Sequence, residues 1–84
     1  MQNIKEISGI LNKIDDSNDI YIFMQEILTE SELETLSKRW RILKMLKEGK
    51  TQRDIAKELN VSLCKVTRGS KLLRNNHSVS AQYL

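Results

Sequence analysis

Ile4, Ile7, Leu11 and Ile14 recur three and four positions apart, with Ile10 beside them and lysine or glutamate between, which is the stripe of an amphipathic helix. The polar run Asp15-Asp16-Ser17-Asn18 ends it. Ile20, Phe23, Met24, Ile27 and Leu28 then fit a second helical face, while the β-branched opening Ile20-Tyr21-Ile22 leaves a short strand open locally. Thr29 and Glu32 stand at the spacing of a capping box, in which hydroxyl and carboxylate each accept from a backbone N–H that a helix start leaves unpaired. A third and longest helix is predicted from there through Leu33, Leu36, Trp40, Leu43 and Leu46. It should stop at Gly49, the nearby residue at ease in a left-handed cap.

Thr51 and Asp54 repeat the capping logic and open a short helix with Ile55, Ala56 and Leu59 inward. Asn60 tolerates positive φ where that helix must stop, and Ser62 caps the next one. Leu63, Val66 and Leu73 form the last stripe, with Gly69 in its middle, before Asn75-Asn76-His77-Ser78 breaks it ahead of a short remnant. From Gln52 to Lys71 this is helix-turn-helix patterning: a small residue where two helices cross steeply, a residue for the turn, and apolar inner faces. An ordinary helical hairpin in a small bundle is the alternative. The expected fold is all-α, one domain over residues 1–84, with dimerisation helices over about 2–48, the helix-turn-helix over about 51–74 and a short tail over 75–84.

Eighty-four residues, no proline and 5% aromatics, namely Tyr21, Phe23, Trp40 and Tyr83, mean an aliphatic core of modest area that self-association would support. Trp40 is expected in the core or in a dimer seam, and Met24 and Met45 as gap-fillers. The charge is lopsided. Residues 1–34 carry two basic groups against eight acids, and residues 35–84 twelve against three. A basic half of this kind fits a polyanionic partner. The lone Cys64 has no partner for a disulfide or a metal pair, which suits a reducing, cytoplasmic protein. The longest apolar run, Ile20 to Met24, is far too short for a bilayer span, so no membrane is expected. His77, the single histidine, sits in a polar stretch with no acid, base and nucleophile around it, so neither an enzyme, a metal site nor a cofactor is expected.

In a helix-turn-helix the second helix enters the major groove of double-stranded DNA. That makes Ser62, Leu63, Cys64, Lys65 and Thr67 candidates for base edges. Lys65 could donate to guanine, and Cys64 could meet a thymine methyl. Gln52 opens the first helix at the rim of this surface, and Arg53, Lys57, Lys71 and Arg74 surround it as candidate phosphate contacts. Gly69 inside a helix costs about 1 kcal/mol against alanine, so a ligand ring or another helix should pack close to its backbone.

The runs Leu28-Thr29-Glu30-Ser31-Glu32, Ser37-Lys38-Arg39-Trp40-Arg41-Ile42, Gly49-Lys50-Thr51-Gln52-Arg53-Asp54-Ile55 and above all Val66-Thr67-Arg68-Gly69-Ser70 resemble the tryptophan repressor family, over about residues 26 to 73. The resemblance implies an intertwined homodimer that reads a palindromic operator when L-tryptophan is bound as corepressor. Arg39 and Arg68 match the two arginines that flank the indole in that family, and Thr29 matches the threonine that helps hold the ligand carboxylate. The carbonyls that take the amino group fall near Glu26 and Leu28, contributed by the other subunit. Two positions depart: Leu72 stands where the family has a serine hydroxyl, and Lys65 where it has a threonine. The turn Gly49-Lys50-Thr51 is also one residue shorter, and the arm before the first helix and part of the C-terminal helix are missing. A ligand-independent DNA-binding regulator and a protein-interaction module on the same scaffold are the other readings.

Overall fold

A computed structural model describes all 84 residues. The chain is entirely helical, with α1 at Gln2–Lys13, α2 at Ser17–Ile27, α3 at Glu30–Lys47, α4 at Gln52–Leu59, α5 at Leu63–Arg74 and α6 at Val79–Gln82. It divides into two compact units, Met1–Leu33 and Glu34–Leu84.

In the first unit the acidic break does what its composition suggests. The Asp16 carboxylate accepts from the Asn18 N–H at 2.9 Å and so starts α2, which is helical through the β-branched Ile20-Tyr21-Ile22. The capping box at the start of α3 forms in both directions: Glu32 N–H donates to Thr29 Oγ1 at 3.1 Å, and Thr29 N–H donates to Glu32 Oε1 at 2.8 Å. Those bonds hold the Glu32 carboxyl below its ordinary pKa, because the N–H of Thr29 favours the ionised form and the Thr29 side chain adds to it. No residue of α1 or α2 is buried.

The second unit contains the core. Ile42 and Met45 from α3, Ile55 from α4 and Val66 from α5 are buried together, and Leu46, Ala56, Leu59 and Val61 pack against them. Ile55 and Val66 are 0% exposed. Met45 fills a core gap as expected, but Trp40 does not join it, being 42% exposed. The buried residues of α3 are Ile42, Leu43 and Met45; of the expected stripe, Leu43 is buried and Leu46 packs against the core, whereas Leu36 and Trp40, farther up, are exposed. The reason is local: α4 and α5 close only on the C-terminal turns of α3, so residues farther up gain no cover from them.

Backbone conformation follows the residues singled out. Gly49 has φ +92°, Asn60 has φ 53° and ψ 50°, and the Thr51 hydroxyl accepts from the Asp54 N–H at 3.2 Å. Lys50 and Glu58 form an ion pair at 3.3 Å across the turn into α4; both side chains are largely exposed, so its contribution is small. Ser62 occupies the cap position of α5 but makes no side-chain capping bond. The expected remnant after residue 78 contains α6, whose start is fixed by the Ser78 hydroxyl accepting from the Ala81 N–H at 3.2 Å.

Candidate nucleic-acid interface

Helices α4 and α5 are joined by Asn60, Val61 and Ser62 and packed through Ile55 and Val66. The left-handed Asn60 turns the chain sharply, and Val61 folds back so that its N–H donates to the Ala56 carbonyl at 3.0 Å. Val61 thereby closes the core beneath the turn, and the next four residues are left outside it. Ser62, Leu63, Cys64 and Lys65 are all exposed, and Leu63 keeps 47% of its surface in water. A leucine held open at the start of a helix is available for contact rather than for the core of this chain.

Arg53 and Lys57 are exposed on α4, and Lys71 and Arg74 on α5. No acidic side chain forms an ion pair with any of these four, the Lys50–Glu58 bridge being the single one in the chain. Their charge is therefore free to meet a polyanion. Leu63, Cys64, Thr67, Arg68 and Lys71 line one shallow depression of about 420 Å³ along α5. Gln52 and Thr67 differ from the other candidates in being half-buried and joined to each other, with Thr67 Oγ1 at 2.9 Å from Gln52 Oε1.

The residues expected to hold a small ligand fall into two groups. Arg39 on α3 and Arg68 on α5 are exposed. Arg68 also lines a second depression of about 440 Å³, with Lys71, Leu72, Asn75, Ser78 and Val79. That depression exists because α6 follows α5 closely, and periodicity could not find it, since four residues are too few to show a stripe. The Ser78 cap was its only sequence signal. In the first unit, Glu26 lies in the last turn of α2 and Leu28 at its C-cap, where helix carbonyls lose their intrahelical partners. Thr29 Oγ1 accepts from the Glu32 N–H within its capping box, and the Thr29 side chain also favours the ionised Glu32 carboxyl.

Gly69 is buried, and the neighbour that crowds its backbone is α3. A Cβ built there would lie 3.0 Å from Ile42 Cγ2 and 3.3 Å from Leu43 Cδ2. Of the two partners expected from sequence, this is the helix. No cluster of histidine, cysteine or carboxylate side chains could hold a metal ion, and no helix is long and apolar enough to cross a membrane.

Comparison with known proteins agrees with the resemblance in the sequence. The family model described as Trp repressor protein matches residues 2–84. Proteins named Trp operon repressor homolog from Xylella fastidiosa strains M23, Temecula1 and 9a5c are each 41% identical over 77 residues, which covers 90% of this chain and 84% of theirs. No solved structure matches. The chain belongs to the Trp repressor family, a family of transcriptional repressors rather than enzymes.

Proposed function

We propose that this Trp repressor family chain represses transcription by binding a palindromic DNA operator as a homodimer, with α4 and α5 as a helix-turn-helix reading head and L-tryptophan as corepressor. The observation that carries the DNA part is the exposed turn Ser62-Leu63-Cys64-Lys65 at the start of α5, flanked by the unpaired cations of α4 and α5. Lys65 and its neighbours read base edges, while Arg53, Lys57 and Lys71 hold phosphates and set the register. The dimer is supported by exposed apolar side chains: Ile4, Tyr21 and Ile27 are each more than half exposed, and Trp40 nearly so. A second copy would take them out of water.

The corepressor reading assigns roles by chemistry. The guanidinium planes of Arg39 and Arg68 stack on the indole, the Thr29 hydroxyl turns from Glu32 to donate to the ligand carboxylate, and carbonyls at Glu26 and Leu28 accept from the ammonium. Bound ligand would hold the two reading heads at the spacing of successive major grooves, so ligand and DNA would strengthen each other reciprocally. A ligand-independent DNA binder is the second reading, and one observation favours it. Packing against Ile42 and Leu43 already accounts for the glycine at position 69, leaving no ring required there.

Isothermal titration with L-tryptophan separates the two, with indole-3-acetate and L-phenylalanine reporting on the amino group and the ring. Saturable binding near one ligand per chain, lost on Arg39→Ala or Arg68→Ala, is the expected result. No heat at two temperatures from a folded dimer would leave the ligand-independent regulator. Selection of duplexes from a random library by the same sample tests operator binding, and failure to enrich any sequence would overturn it.

A further inference from the structure

The Gln52–Thr67 contact joins the first residue of α4 to the second turn of α5, and it is the only side-chain to side-chain hydrogen bond between those helices. Thr67 Oγ1 is 2.9 Å from Gln52 Oε1 and 3.0 Å from the Leu63 carbonyl. A threonine hydroxyl has one proton, and helix geometry already offers it the Leu63 carbonyl four residues back. Its second acceptor, on another helix, ties the orientation of the Gln52 amide to α5. With Oε1 held by Thr67, the donor half of the amide is left over. Gln52 Nε2 has no partner in the protein, yet no buried side-chain nitrogen or oxygen lacks one, so Nε2 meets solvent.

We propose that Thr67 is a positioning residue for DNA binding: its hydroxyl fixes Gln52 so that the Nε2 hydrogens are presented to a backbone phosphate at the start of α4. The inference rests on the DNA-binding reading above and changes the role of Thr67 within it, from a direct base contact to an orienting one. A phosphate oxygen only accepts, so an amide must offer its nitrogen, and a free glutamine side chain would sample both ends. The first helix of such a pair crosses the DNA backbone, and backbone contacts set register. Half-burial of both side chains shields the bond from competition by water.

The experiment measures affinity for duplexes selected by the wild-type protein from a random library, with L-tryptophan present, across a salt series. Thr67→Val and Gln52→Ala should each weaken binding about fivefold, the worth of one hydrogen bond, and the double variant should be no weaker than Gln52→Ala alone. Thr67→Ser should bind as wild type. Gln52→Glu keeps an acceptor for Thr67 but turns an anionic oxygen outward, and should lose at least about tenfold. The salt slope should stay constant in all the neutral variants, because none removes a charge. Additive losses in the double variant, or wild-type affinity in Gln52→Glu, would overturn the inference. Circular dichroism of each variant guards against misfolding, and Gln52→Glu leaves Thr67 untouched if the valine variant does not fold. A wild-type protein that selects no duplex overturns the DNA-binding reading and this role together, whereas selection with additive losses overturns this role alone.

Discussion

The two units of this chain solve the burial problem in opposite ways. Glu34–Leu84 closes a core from its own α3, α4 and α5 and carries nearly all of the cations, whereas Met1–Leu33 is acidic and buries nothing in α1 or α2. Both have strong apolar periodicity. What separates them is a partner element within the chain: Ile55 finds Val66 and Ile42, while Ile4 and Ile27 stay in water. Periodicity therefore states that a face must be covered, and says nothing of which molecule covers it.

The contrast can be broken most forcefully at Ile55, where Ile55→Ala should cost about 3 kcal/mol, independently of protein concentration. Urea unfolding over a wide concentration range checks it. In the acidic unit the corresponding change, Ile27→Asp, should destabilise in a concentration-dependent way and shift sedimentation toward the monomer, since the burial it removes is between copies. Loss of stability without a change of assembly would refute the second-copy assignment. Thr29→Ala, which removes one half of the capping box, should cost about 1 kcal/mol by the same urea method.

Smaller effects sharpen the electrostatic side of the comparison. Replacing Arg53 or Lys57 by alanine should lower the salt slope of DNA binding by about one each, with similar loss on all sequences, while Lys65→Ala should change sequence preference. The acidic unit has its own pH signature at Glu32. The folded carboxyl titrates below its unfolded counterpart, so its contribution is complete above the unfolded value and is lost as pH falls through the lower, folded one. Glu32→Gln, which keeps an acceptor but not the charge, should flatten that acid limb and lower stability at neutral pH by the amount the wild type loses in acid. An unaltered acid limb would show that other carboxylates govern it.

Features fixed by a residue and its near neighbours were legible from the sequence. Thr29 with Glu32, Thr51 with Asp54, Gly49 and Asn60 each act over four residues or fewer, and each takes its expected conformation or bond. Of the two places expected for Trp40, the core is excluded, because α4 and α5 cover only the C-terminal turns of α3. The Gln52–Thr67 bond joins residues fifteen apart on different helices, beyond the reach of any spacing rule. Both residues were singled out, but as independent contacts. Helix α6 escaped because its single turn carries no period.

Cys64 gives the molecule a built-in ruler. It is the sole thiol, it is exposed, and it sits in the first turn of α5. A nitroxide attached there by thiol chemistry labels each chain once, so an assembly of two copies yields a single interspin distance. That distance reports the separation of the two α5 starts and can be set against the roughly 34 Å that separates successive major grooves. Recorded with and without L-tryptophan, the width of the distribution distinguishes an effector that tightens an existing spacing from one that creates it.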